Sequence, residues 1–247
     1  MNIEVRVISL KDSPPLLTQA KRDFGENFVS SMPAIDMRRV SSDSLMKSGL
    51  VSLSAVHSMD EGRKWHKELT SPGTVGLHQS NRLIMHQNDG PVLILEEDCK
   101  YNKTLLEKEI SKLLTLGDAF DVAVFGASYR DIKYIQAVSH WCQLVKGNFM
   151  MTHCVLYSRA GRKKMAHYLD QMQEVQIDFY IGALASRGLL TVYLHDNTEL
   201  IAWQSGSATT LQLDTCILCY LPSHVGGITI ILIAVILIIL FIGKRMM

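Results

Sequence analysis

Three acids end one short apolar run. In "GPVLILEEDCKY", residues 90–101, Val92, Leu93, Ile94 and Leu95 lead straight into Glu96, Glu97 and Asp98. A continuous apolar tetrad after a Gly-Pro turn reads as a strand covered on both faces. In open α/β sheets ligands bind at the carboxyl ends of strands, and carboxylates gathered there repel one another unless a cation joins them. Side chains of an extended segment alternate, which puts Glu96 and Asp98 on one side and turns Glu97 away. Two hard oxygen ligands on one side can hold a divalent ion that keeps positions for phosphate oxygens and water. Mg²⁺ or Mn²⁺ bridging a diphosphate is therefore the chemistry these residue types carry. The plain alternative is a solvated acidic turn at a strand end.

Other chemical patterns are absent or weak. The nine histidines include no HxxxH pair, and His78 and His86 read as residues on a helix surface. No GxSxG elbow and no Gly-rich phosphate loop occurs, which leaves hydrolase and P-loop readings without support. Cys99, Cys142 and Cys154 are scattered singly, as buried thiols commonly are, while Cys216 and Cys219 sit just before an apolar stretch as candidates for acylation.

The elements that must carry the acids alternate in type. Ile3 to Leu10 reads as a strand, and Pro14-Pro15 opens a helical stretch to about Phe28. Val51 to Val56 reads as a strand, and residues 71–87, "SPGTVGLHQSNRLIMHQ", as the helix that feeds the acidic strand. Thr104 is the expected cap of a helix whose stripe is Leu105, Leu106, Ile110, Leu113 and Leu114. Val122 to Phe125, residues 149–157 and Leu189 to Leu194 read as further strands, with Ser158 capping a helix between the last two. This alternation predicts an α/β sheet sandwiched by helices.

The balance of 25 basic and 24 acidic residues argues against a nucleic-acid partner. Residues 225–243, "VGGITIILIAVILIILFIG", carry no charge, and 19 residues at ~1.5 Å rise cover roughly 28 Å, close to a hydrocarbon core. A C-terminal transmembrane helix and a lipid bilayer partner are expected. The expected layout is a catalytic-size body over 1–210, a juxtamembrane linker over 211–224 and the span over 225–243. "MNIEVRVISL" carries Glu4 and Arg6, so it reads as a strand and not a signal peptide, and the body is expected to face the cytosol of an endomembrane or viral envelope. Lys244 and Arg245 beyond the span point the other way. The sequon Asn102-Lys103-Thr104 reports on the side, since it is glycosylated only in a lumenal body.

Six stretches in order carry a resemblance: "VRVISLKDS", "PAIDMRR", "SPGTVGLHQSNRLIM", "VLILEEDC", "GNFMMTHCVLYSRAGRKKM" and "QIDFYIG". Together they resemble glycosyltransferase family 25, which includes lipooligosaccharide and collagen galactosyltransferases and has related sequences in large DNA viruses. The resemblance spans roughly residues 1–210 and implies a GT-A fold, a Rossmann-like domain that takes a nucleotide-diphospho-sugar, a UDP-sugar above all, and transfers the sugar with inversion to a glycan or protein acceptor. It implies Glu96 and Asp98 as ligands of Mn²⁺ or Mg²⁺, with Glu97 between them. It puts Asp36, Glu97 and Ser80 beside the nucleotide, Asp178 as the base at the acceptor and His195, next to Asp196, as a further metal ligand. The chain departs from the family pattern at Pro14-Pro15, at Asn81 where a histidine is usual, and at Glu97 where an aspartate is usual. These departures carry the alternative reading, a catalytically degenerate transferase fold serving as a membrane-tethered binding or envelope protein.

Overall fold

The computed structural model describes residues 3–12, 14–62, 65, 67–129 and 132–205. Residues 206–247, which hold the linker and the apolar run 225–243, lie outside the described part. No helix among the described residues is long and apolar enough to cross a membrane.

The first half of the chain forms β1 (Glu4–Ser9), α1 (Pro15–Phe24), β2 (Val29–Pro33), α2 (Ser42–Lys47), α3 (Leu53–Asp60), α4 (Pro72–Gln87), β3 (Val92–Glu96), β4 (Cys99–Tyr101) and α5 (Lys103–Thr115). A second set of strands follows: β5 (Val122–Val124), β6 (Ser128–Tyr129), β7 (Lys133–Val138), β8 (Trp141–Lys146), β9 (Phe149–Met150) and β10 (Cys154–Tyr157). The described part closes with α6 (Arg159–Leu169), α7 (Ile177–Ser186), β11 (Val192–His195) and β12 (Ala202–Gln204). One eight-stranded sheet runs in the order β2-β1-β3-β10-β5-β11-β8-β7, and β12-β4 and β6-β9 make two small ribbons. Only β10 and β8 run against the other strands of the large sheet.

The apolar tetrad of β3 shows why helices cover both faces. Leu93 and Leu95 join one core with Val5, Val7, Leu16 and Leu17 of α1 and Leu106 and Ile110 of α5. Val92 and Ile94 join the other, with Ile84 and Met85 of α4, Met165 of α6 and Ile181 of α7. Successive side chains on one strand thus feed opposite layers, which is the requirement of a strand buried on both sides. The result is a mixed α/β fold around a large central sheet.

Several expected elements differ. Val51 to Val56 is not a strand: Ser52 accepts the Ala55 N–H and starts α3, whose Ala55 and Val56 face a small third core with Leu45, Leu69 and Val75. The β-branched residues there misled, because a capping serine outweighs their propensity. The helix expected to Phe28 stops at Phe24, where Gly25 takes φ +95°, and frees β2 to pair with β1. Asn102, not Thr104, caps α5, its side-chain oxygen taking the Leu105 N–H. His78 is no surface residue: it is 1% exposed, its Nε2 lies 3.2 Å from the Leu169 carbonyl, and burial pushes its pKa down to about 4. The run 149–157 is two strands, with a break at Met151, Thr152 and His153.

The parallel trio β2-β1-β3 sets the position of the site. From β1 the chain passes through α1 to β2 on one side, then returns through α2, α3 and α4 to β3 on the other side. Loops leaving β1 and β3 therefore diverge at the carboxyl ends of neighbouring strands and leave a crevice between them.

Candidate functional site

A cavity of about 740 Å³ occupies that crevice, within the usual size of ligand pockets, roughly 300–1,000 Å³. Its floor is the carboxyl end of β1 and of β3, with Ser9, Glu96, Glu97 and Asp98 on its surface, and one wall is the loop Ala34–Arg38 after β2. Pro14, Leu16 and Leu77 supply apolar wall, and Lys11, Arg38 and Lys100 supply positive charge.

The acids are not equivalent. The extended backbone stops at Glu96, and Glu97 and Asp98 form a turn into β4, so strand alternation does not decide where they point. Glu96 accepts the Thr152 hydroxyl at 2.9 Å. Burial first, then the charges of Asp98 and Asp178, push its pKa up to about 7. Glu97 accepts from the Ser9 hydroxyl at 2.5 Å and from the Leu10 N–H at 3.2 Å, which fastens the β3 turn to the loop leaving β1. Asp98 takes the Gln204 side-chain N–H on Oδ2 at 2.6 Å, whereas its Oδ1 is buried without a partner.

Asp36 lies in the opposite wall, gripped by Arg38 in a two-pronged pair of 2.8 and 2.6 Å. The guanidinium hydrogen bonds hold its pKa down at about 2. Ser80 does not reach the cavity. It is fully buried on α4, where its hydroxyl donates to the Gly76 carbonyl at 2.8 Å and accepts the Ile35 N–H at 2.9 Å. Gly76 explains how α4 comes so close: a Cβ there would sit 2.1 Å from the Ile35 carbonyl oxygen. Gly76 and Ser80, one helical turn apart, thus seat the loop that presents Asp36.

Asp178 sits in the first turn of α7, nearly buried, outside the cavity lining but close enough to raise the pKa of Glu96. Its Oδ2 accepts the Met151 N–H at 3.3 Å, with Met151 held at φ +79°, a conformation rare for a side chain of that kind. His195 does not join the acids. It is buried at the end of β11, edge-on to Trp141 with ring centroids 5.2 Å apart, and its Nδ1 accepts the Asn197 N–H at 3.2 Å. Burial lowers its pKa.

Among the described residues, no group of three or more His, Cys, Asp and Glu side chains is arranged to hold a metal ion. Glu96 and Asp98 fit a divalent ion as a two-carboxylate site. Asp98 has a buried oxygen with no partner, and the pKa of Glu96 is pushed up to about 7 by burial first and then by neighbouring acids, both of which a bound cation would offset. Mg²⁺ sites of this kind use one or two carboxylates and take their remaining ligands from phosphate and water.

Sequence reasoning passed over Lys11, Arg38, Lys100, Thr152, His153 and Gln204. Two polar residues inside the apolar run "FMMTHCVLY" are the signal that marked the break; nothing in the residue types marked Gln204, which reaches Asp98 across 106 positions.

No protein-family model and no curated protein sequence matches the chain. Among solved structures it is similar to a UDP-glucose pyrophosphorylase complexed with UDP-glucose, at TM-score 0.43 and 10% identity, over 78% of this chain and 90% of that one. It is also similar to a putative glucose-1-phosphate thymidylyltransferase from Bacillus anthracis, at TM-score 0.41 and 9% identity over 82% and 89%. A third similarity is to A197 from STIV, at TM-score 0.37 and 10% identity over 87% and 100%. These TM-scores are low, and the reading of the site rests on its own residues.

Proposed function

We propose that this chain is a metal-dependent, inverting glycosyltransferase of the GT-A type. It takes a nucleotide-diphospho-sugar, a UDP-sugar first, in the cavity at the ends of β1 and β3, and passes the sugar to a hydroxyl of a glycan or protein acceptor. One observation carries the reading: Glu96 and Asp98 converge on a cavity of ligand size, one with a raised pKa and the other with a buried, unpartnered oxygen.

In this reading Glu96 and Asp98 would hold Mn²⁺ or Mg²⁺, whose positive charge would stabilise the leaving diphosphate. Lys11, Arg38 and Lys100 meet the phosphates, and Glu97 keeps the two loops of the floor together. Gly76 and Ser80 hold the Ala34–Met37 backbone and Asp36 against the nucleoside. The acceptor hydroxyl attacks the anomeric carbon as its bond to the diphosphate breaks, and Asp178 takes the hydroxyl proton. His195 has no place in this scheme: it packs edge-on against Trp141, and none of Glu96, Asp98 and Asp178 acts on it, whereas Asp178 lies close enough to act on Glu96. The apolar run 225–243 would tether the body to a bilayer.

A second reading, a binding protein on a degenerate transferase fold, draws on the Asp36–Arg38 pair, which satisfies Asp36 within its own loop. Thermal unfolding of the full chain in detergent, with and without Mn²⁺ and UDP-sugar, separates the two when turnover is measured beside it. The transferase reading expects a stabilising shift that requires both ligands, lost in Asp98→Asn with no fall in the ligand-free midpoint. Asp178→Asn should keep the shift and lose about two to four orders of magnitude in turnover. A shift without turnover, or no metal-dependent shift in the wild type, overturns the transferase reading and puts the degenerate-fold binding protein in its place.

A further inference from the structure

The break between β9 and β10 holds two of the acids, Asp178 and Glu96. The Met151 N–H donates to Asp178, the Thr152 hydroxyl donates to Glu96, and the His153 carbonyl accepts the Glu96 N–H at 3.0 Å. The ring of His153 remains. It is 2% exposed, and neither Nδ1 nor Nε2 has a hydrogen-bond partner. The Ala202 carbonyl is near enough to favour its protonated form but stands outside hydrogen-bonding geometry. Room for the ring comes from Gly126, where a Cβ would lie 3.0 Å from His153 Nε2 and 2.1 Å from the Ala202 oxygen.

Buried polar groups in native proteins are almost always paired, and each exception calls for a cause. Here two exceptions adjoin. The His153 carbonyl takes the Glu96 N–H, and β12 carries both Ala202, whose oxygen lies with the ring at Gly126, and Gln204, the partner of Asp98 Oδ2; the ring therefore lies at the turn of Asp98, whose charge acts on it and whose Oδ1 is itself buried and unpaired. The two are complementary, since a neutral imidazole, the form that burial favours here, carries one N–H donor and a carboxylate oxygen accepts. A metal-ligating carboxylate needs such a partner, because hydrogen bonds from outside the metal shell orient the ligand. Gln204 already supplies one to Oδ2.

We propose that His153 is a positioning residue for Asp98: its ring N–H, across one bound water, supplies the hydrogen bond that Asp98 Oδ1 lacks and aims the carboxylate into the cavity. The consequence for metal affinity rests on the glycosyltransferase reading above; the contact itself does not. Two measurements on the full chain in detergent separate them. The first is ¹⁵N NMR of the His153 ring without ligands, in the wild type and in Asp98→Asn. A change in the ring-nitrogen shifts is expected, and unchanged shifts overturn the contact whatever the protein binds. The second is Mn²⁺ affinity in the presence of UDP. His153→Leu should weaken it by about 10- to 100-fold, while His153→Gln, which keeps an N–H donor, should stay within about threefold. Equal losses in the two variants, or none in His153→Leu, overturn the positioning role. If the wild type binds no Mn²⁺ with UDP, the glycosyltransferase reading fails and the NMR result still decides the contact.

Discussion

Glu96 is the acid whose protonation answers to its surroundings. Its folded pKa of about 7 lies above the ordinary 4.5, chiefly through burial and then through Asp98. A raised acid pKa means that the folded chain holds a proton the unfolded chain releases. The contribution to stability is full below about pH 4.5 and is lost as pH rises through about 7. Glu96→Gln removes that dependence. It should flatten the stability profile between pH 5 and 8 and exceed the wild type above pH 7 by roughly 2–3 kcal/mol at most. Urea unfolding at several pH values without metal measures this, and parallel profiles for the two proteins would mean that Glu96 titrates normally. Metal binding should mirror the effect, with the apparent Mn²⁺ affinity of the wild type rising up to tenfold per pH unit below 7 and levelling off above it.

At the scale of elements, α4 is the scaffold of the nucleotide wall. Gly76→Ala drives a Cβ to 2.1 Å from the Ile35 oxygen, and Ser80→Ala leaves the Ile35 N–H without its acceptor. Overpacking of this kind costs about 1–3 kcal/mol and a buried unpaired donor about as much. Both variants should melt earlier than the wild type and weaken UDP-sugar binding while its metal requirement persists; unaltered affinity in both would remove the Ala34–Met37 loop from the site. The strand of the acids was legible because Val92 to Leu95 is apolar without interruption, and both helix layers followed from that one run. Its turn was not, since only contacts with Ser9 and Gln204 settle where Glu97 and Asp98 point. Ser80 shows the same limit from the other side. The family resemblance marked it for the nucleotide, whereas packing puts it behind the wall, acting through Ile35. The break at Met151 to His153 lies inside a run that reads as one strand; Thr152 and His153 are its one signal, since φ +79° at a methionine has no signature of its own.

For the whole molecule, the proposed tether over 225–243 makes the side of the membrane the property to measure. Asn102 is exposed, and its side chain caps α5. With the body in the cytosol it stays unmodified, and protease added to intact microsomes digests the body. An endoglycosidase-sensitive mass shift that disappears in Asn102→Gln would place the body in the lumen instead. The topology that gathers the acids has a further consequence, in the order of assembly. Glu97 is held from 88 positions upstream, Glu96 from 56 downstream and Asp98 from 106 downstream. Contacts of such sequence separation form only after the entropy of closing long loops has been met, which makes them slow relative to local structure. The acidic turn therefore stays free and solvated until β10 has entered between β3 and β5 and β12 has closed over β4. Glu96 and Asp98 are neighbours along the chain throughout, but water screens their repulsion until those closures bury them, so its cost falls on the final steps.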